Sequence, residues 1–429
     1  MPSTTRRRTL AGLAATAITS STLVPRSAYA AMGANDKFDL LIKGGEVLDP
    51  SQKLRARRDI GMRFGRIEAL DAQIPAERAE RVLDARGKLV LPGLIDLHAH
   101  VFPYGSAIGI PADELIPFQG TTTAVSAGDA GSNTFAIFRR HIVAQTRTRL
   151  YAFVHVANHG LSGFPVPELF NIDFARPESA ARVIAENADI VLGVKVRMSE
   201  NVVAGHGMEP LKRAIRACEL SGTKAKVMCH IGGVQTPDMM SDVLNALRPG
   251  DVLTHCYSGA PNLAGRFTNI VQDGRLLPAA LEAKKRGVIF DVGHGGGSFD
   301  FTVARAAIDQ GCPPDTISSD IHVFSGNSPG EPYLTNVMGK FISLGFSLDE
   351  VVAMATINPA KVIDRLPGMG TLEVGAPADA TVAELVEGPV EWVDTRNNKL
   401  SGKVQVRPTT AVIAGVAFGR PYQAPFAVR

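Results

Sequence analysis

Thiolate pairs, long apolar runs and a strong excess of either charge are all missing from this chain of 429 residues. Its four cysteines, Cys218, Cys229, Cys256 and Cys312, include no Cys-x-x-Cys pair. That spacing argues against a thiolate zinc site, and the cysteines are expected to be small buried hydrophobes. No segment beyond residue 30 approaches 18 unbroken apolar residues, so no transmembrane helix is expected in the mature chain. Charge is nearly balanced, with 45 basic and 42 acidic side chains. Four of the basic ones, Arg6, Arg7, Arg8 and Arg26, fall in residues 1–30, which hold no acid. The remainder has no electrostatic footprint for nucleic acid or an anionic membrane surface.

The first thirty residues read as an export signal. Thr5-Arg6-Arg7-Arg8 precedes a mildly apolar run from Leu10 to Val24, and Ala28-Tyr29-Ala30 supplies a small-x-small cleavage site. Paired arginines before a weakly hydrophobic core resemble a twin-arginine signal. The expectation is a mature chain beginning near Ala31, with the twin-arginine export machinery as a partner. Its destination would be the bacterial periplasm or the extracellular space.

From Phe38 the runs DLLIKGGEVLD, RRDIGMRFGRIEAL and RVLDARGKLVLPG are short and β-rich, with Gly and Asp turns. The far end, GTLEVGAPADATVAEL and AVIAGVAFGRP, has the same texture. A small β-sandwich domain built from residues 31–92 and 368–429 is predicted, with an insert at 93–367. The insert holds eight apolar strand candidates, ending near residues 97, 125, 155, 195, 230, 255, 292 and 320. Helix-forming stretches such as EPLKRAIRACELSG and DFTVARAAIDQG separate them. Eight strands alternating with helices are the pattern of a (β/α)8 barrel, whose chemistry sits at the C-terminal ends of its strands.

The histidines follow that rule. His98, His100, His159, His206, His230, His255, His294 and His322 fall at strand ends or in the loops just after them; His141 and His155 do not. His98 and His100 close the run LVLPGLIDLHAH, and residues i and i+2 of a strand share a side. Two such imidazoles can grip one metal ion. Strand five ends in His230, strand six in His255 and strand eight in Asp320. Lys195 lies inside the apolar strand GVKVRM, where burial favours the neutral amine. A neutral amine can take up carbon dioxide as a carbamate, a two-oxygen ligand. Each residue has a blander reading: a hydrogen-bonded core histidine, a snorkelling lysine, an aspartate cap on a helix. All six together make the bland reading improbable.

The ordered set His98, His100, Lys195, His230, His255 and Asp320 resembles the amidohydrolase superfamily. GVKVRMS, LTHCYSG, FDVGHGGGSF and SSDIH are similar to its deacetylase-like branch, some members of which were first described as dihydroorotase-like. The resemblance runs from about Phe38 to the C-terminus. It implies two divalent cations, zinc by preference. His98, His100 and Asp320 would hold one, His230 and His255 the other, and carbamylated Lys195 would bridge them. The implied nucleophile is a hydroxide shared between the metals, with Asp320 taking its proton.

Around this set, four residues are candidates for the substrate. Arg197, two beyond Lys195, suits a substrate carboxylate or, equally, a structural ion pair. Tyr257 could offer its hydroxyl to an oxyanion. His294 leads into Gly295-Gly296-Gly297, and His159 lies in the loop after strand three. His322 is read as a support for Asp320. The predicted function is cleavage of a small acyl amide or ester. The alternatives are opening of a cyclic amide, as in dihydroorotase, and a non-enzymatic binding protein on the same scaffold. A mononuclear deaminase is disfavoured because Ile231, Gly232, Gly233 and Val234 follow His230 without a glutamate. Substrate chirality and oligomeric state stay open.

Overall fold

The computed structural model describes residues 32–33 and 35–418; the expected export signal at residues 1–30 lies outside them. Within the described residues no helix is long and apolar enough to cross a membrane.

Seven parallel strands follow one another in chain order: Leu94–Ala99, Thr121–Gly131, Arg149–His155, Val191–Arg197, Lys226–His230, Val252–Thr254 and Ile289–Asp291. Helices alternate with them. In Glu209–Leu220, for example, Leu211, Ala214, Ala217 and Cys218 are buried, the spacing of one helical face turned to the sheet. Asp300 caps Phe301–Asp309 by accepting from the Thr302 N–H at 2.7 Å. The eighth position is an extended segment, residues 316–321, joined to each neighbour by isolated bridges, Asp291 with Thr316 and Ala99 with Ile321. Its amides and carbonyls are shared with both sides: Val292 donates to Thr316, Asp320 to His98 and His100 to Ile321. The barrel is therefore closed, and every strand end faces one mouth. Ile95, Leu97, Val125, Phe153 and Met228 belong to one buried cluster that fills the barrel below that mouth.

Both chain ends build the second domain. The front supplies Leu40–Asp49, Leu54–Arg63, Arg66–Asp71, Val82–Asp84 and Leu89–Pro92; the back supplies Ala380–Val393, Lys399–Ile413 and Val416–Ala417. Leu89–Pro92 joins the two sets. It pairs parallel with Leu40–Asp49 and antiparallel with Ala380–Val393. The eight strands thus form one hydrogen-bonded sheet. Ile42, Ile60 and Met62 of the front share a buried cluster with Val382 and Val412 of the back. The sheet folds over its own core, so its two arms face each other as the layers of a sandwich do. The hairpin Ala380–Val393 with Lys399–Ile413 extends to the barrel, where Trp392 seats against Gly339 of the helix Leu334–Ser343.

All four cysteines are buried and unpaired. Cys218, Cys229, Cys256 and Cys312 join the apolar cluster between strands and helices, as expected of small hydrophobes.

Candidate metal centre

His98 and His100 stand at the end of Leu94–Ala99, both buried. Their Nε2 atoms lie 3.2 and 3.1 Å from the same oxygen, Oδ1 of Asp320. The opposite ring nitrogens are engaged. His98 Nδ1 is 2.7 Å from Thr254 Oγ1, and His100 Nδ1 is 2.8 Å from Asp129 Oδ1. Thr254 spends its single hydroxyl hydrogen on Asp291 Oδ2 at 2.8 Å, so its oxygen must accept from His98 Nδ1–H. Asp129 likewise accepts from His100. In both rings Nδ1 thereby carries a hydrogen, leaving Nε2 as the nitrogen that takes a metal or a second proton. Two imidazole nitrogens and a carboxylate oxygen converge, an arrangement that calls for a cation or a proton between them. The donor set, two imidazoles and a carboxylate with ordered outer partners, fits a divalent metal.

Further donors surround this point. His255 lies 4.9 Å from His98, ring centre to ring centre and tilted, and meets His230 edge-on at 4.3 Å. Its Nδ1 donates to the Gly293 carbonyl at 2.5 Å, leaving Nε2 free. His230 Nε2 is 3.0 Å from Ser199 Oγ, which leaves Nδ1. Lys195 is 1% exposed, and its amine is 3.0 Å from His98 Nε2. A Cβ on Gly128 would come within 2.6 Å of Lys195 Cγ, so the lysine stem lies directly against that glycine.

The electrostatics follow from burial. Burial pushes the Lys195 amine down to about 8, against the pull of Asp320. It lowers His255 to about 4 and holds His98 and His230 well below the usual histidine value. Burial would also lower His100, but the carboxylates of Asp129 and Asp320 outweigh it and raise it to about 9. Burial opposes the charge on Asp320, yet the imidazoles of His98, His100 and His255 hold it well below the carboxylate range. Two of these residues occupy left-handed backbone, His255 at φ 64° and Asp320 at φ 49°. Strained backbone of this kind gathers at functional sites.

A cavity of about 460 Å³ opens beside the cluster, bordered by His100, Lys195, Arg197, His230, Asp320 and His322. Phe164 and Phe324 flank it, ring centres 6.3 Å apart. Arg197 lines the cavity and also pairs with buried Glu168 at 3.1 Å, so the structural ion pair, one of its two readings, is present. Burial would raise Glu168, but Arg197 and His155 bring it down to about 2.

Three substrate candidates are elsewhere. The Tyr257 hydroxyl donates to the Cys312 carbonyl at 2.8 Å, and the ring is fully buried against Phe341. The strand ends at Thr254, and the left-handed turn at His255 breaks the alternation that would have carried Tyr257 to the cavity. His294 is fully buried, stacked on Phe299 at 4.7 Å, with Nε2 against the amine of Lys340 at 2.7 Å. The glycines after it, not the ring, border the cavity. His159 packs edge-on against Phe174 at 4.8 Å, outside the lining. His322 does not bond to Asp320; its Nδ1 accepts from the amides of Phe324 and Ser325, and its ring borders the cavity. Ser325 Oγ is what donates to the Asp320 carbonyl, at 3.0 Å.

Sequence reasoning missed the outer partners Asp129, Thr254, Asp291 and Ser199. Thr254, Ser199 and Asp291 lie inside the quoted motifs, but nothing in their spacing distinguishes them from ordinary polar residues. Thr254→Val keeps shape and removes the hydroxyl, freeing the His98 tautomer and leaving buried Asp291 one donor short. Metal affinity measured by chelator competition is expected to fall roughly 10- to 100-fold. An unchanged affinity would show that Thr254 does not set the ring.

The sequence family described as the amidohydrolase family matches residues 299–418. A deacetylase of Agrobacterium fabrum is 35% identical over 354 residues, covering 82% of this chain and 84% of that protein. A crystal structure of an adenine deaminase superposes with a TM-score of 0.80 at 28% identity, covering 90% of this chain and 100% of that one. A dihydroorotase structure does so with 0.78 at 33% identity, covering 89% and 99%. Neighbours of almost equal likeness thus bear different activities, and the fold alone does not choose among them.

Proposed function

We propose that this chain, which belongs to the amidohydrolase family, is a binuclear metal-dependent deacetylase that cleaves a small acyl amide or ester. The observation that carries this reading is the convergence of His98 Nε2, His100 Nε2 and Asp320 Oδ1 at the barrel mouth, with each ring's other nitrogen already engaged. His98, His100 and Asp320 would hold one cation, and His230 with His255 a second. When bound, the pair supplies an acidified water as nucleophile and polarises the scissile carbonyl.

The chain's own groups do the rest. Lys195, with its amine near neutrality, is suited to add to carbon dioxide. Its nitrogen forms a bond to carbon, a C=O electron pair moves to oxygen, and an N–H proton leaves to solvent. The resulting carbamate would supply two further oxygen donors at the histidine cluster. Asp320 Oδ1 faces the two histidines, and its carboxylate would accept the nucleophile's proton. Arg197 at the cavity wall keeps an N–H edge, beyond the Nη1 spent on Glu168, for an anionic substrate group. Opening of a cyclic amide uses the same residues, and the deacetylase of Agrobacterium fabrum tips the reading to acyl cleavage.

Elemental analysis of protein purified with zinc and bicarbonate is expected to give close to two metal ions per chain. A screen of that protein against N-acetyl amino acids of both hands, acetylated hydroxy acids and cyclic amides should find turnover in the first two classes. One ion per chain, unchanged by added zinc and bicarbonate, would overturn the binuclear centre. Turnover confined to cyclic amides would overturn the deacetylase reading.

A further inference from the structure

Beyond these ligands the barrel buries a second amine. Lys340, on the helix Leu334–Ser343, is 1% exposed. Its amine donates to the Gly330 carbonyl and lies 2.7 Å from His294 Nε2. His294 Nδ1 stands 2.9 Å from the Gly295 carbonyl oxygen. A ring nitrogen facing a carbonyl must carry the proton, so Nε2 is the acceptor for Lys340. The amine therefore spans two loops, residues 293–298 after the seventh strand and residues 325–331 after the eighth segment.

Both loops wall the cavity, the first through Gly296, Gly297 and Ser298, the second through Ser325 and Ser328. The first also meets Asp320. A Cβ on Gly295 would come within 2.4 Å of Asp320 Oδ2, and the Gly295 N–H donates to the Ser319 carbonyl at 2.9 Å. Three consecutive glycines have no side chains with which to pack this wall. They are held from behind, by His294 stacked on Phe299 and by Arg396 of the hairpin tip, which donates to the Gly297 carbonyl at 2.8 Å. Burial brings the Lys340 amine down to about 7, with Asp394 and Glu331 opposing through space. An apolar side chain of similar length would cost less to bury. What the amine adds at this position is its two hydrogen bonds.

We propose that Lys340 is a positioning residue of the cavity: donating at once to His294 Nε2 and the Gly330 carbonyl, it fastens the two loops together and holds Gly295 against the Asp320 carboxylate. The catalytic consequence rests on the hydrolase reading above; the clamp itself does not.

The test uses the full zinc-loaded chain. Lys340→Met keeps length and burial and loses both bonds. Its kcat is expected to fall roughly 10- to 100-fold, as a small misplacement near reacting groups does, with KM changed far less and zinc content equal to wild type. Hydrogen exchange should quicken in peptides covering residues 293–300 and 325–332 and stay as in wild type over residues 54–71 of the β-domain. His294→Phe preserves the stack on Phe299 and removes the acceptor. It should give the same pattern, and it reads the same bond if Lys340→Met does not fold. The double variant should fall no further than either single one. Wild-type exchange in both loops, or exchange quickened equally across the whole chain, would overturn the clamp. A wild-type chain inert on the whole substrate panel would instead sink the hydrolase reading, while the exchange comparison still decides the clamp.

Discussion

Asp320→Asn is expected to lower kcat by roughly 10²- to 10⁴-fold, the contribution of a positioned proton acceptor, while KM changes far less. The substitution is well suited to isolate that role. Asp320 sits at φ 49°, a left-handed conformation that asparagine adopts readily, so the backbone is not the variable. The carbonyl oxygen of asparagine can take the place of Oδ1 before His98 and His100. Its amide group can occupy the space of Oδ2 beside Gly295, where a Cβ would already be 2.4 Å away. What is lost is the capacity to accept a proton, together with the negative charge that balances the imidazoles. Because asparagine is also a weaker ligand, metal content must be measured on the same sample. An Asp320→Asn protein with full metal content and near-normal kcat would pass the proton role to another group, with His322 on the cavity wall as the candidate.

The barrel and its mouth were legible because strand periodicity and strand-end chemistry are local signals. His98 and His100 are two apart in a buried strand, and the structure brings both to one oxygen of Asp320, more than 200 residues later in the chain. Lys195 announced itself by being a lysine in an apolar run, and it is 1% exposed. Alternation failed where strands stop. Tyr257 follows His255 by two, but a left-handed turn at His255 sends its hydroxyl to Cys312. His294 failed differently: strand seven does deliver it to the mouth region, but Lys340, from a helix 46 residues on, draws its ring inward. No spacing rule relates those two residues. The same holds for Thr254 and Asp291, whose part depends on a hydroxyl having one hydrogen to give. The shape of the β-domain was hidden for a topological reason. Leu89–Pro92 pairs with strands from both chain ends, so what reads as two layers is one sheet folded on itself.

Lys195→Ala is expected to abolish most activity, a larger loss than the roughly 10- to 100-fold typical of an outer partner, and to reduce metal content. The stem of Lys195 fills space against Gly128, and its amine reaches to 3.7 Å from Met228 Sδ and 3.0 Å from His98 Nε2. Truncation to alanine therefore opens a narrow slot that ends at the histidine cluster. If the lysine acts only as a cation, a short carboxylic acid entering that slot brings the wrong charge and restores nothing. If it acts as a carbamate, formate, acetate or propionate can place two oxygens where the carbamate's would have been, and activity should return in part with rising acid concentration. Added zinc should then be retained alongside the acid. The amine's position near 8 sharpens the contrast. Carbon dioxide reacts with the neutral form, which gains as pH rises through that value, so metal-free wild-type protein given zinc at a fixed concentration of dissolved carbon dioxide should recover activity faster at pH 8.5 than at pH 6.5. Lys195→Arg supplies the control, since a guanidinium stays protonated and forms no carbamate under these conditions. Rescue of Lys195→Ala by propylamine but not by any carboxylic acid would reject the carbamate and leave Lys195 as a simple amine.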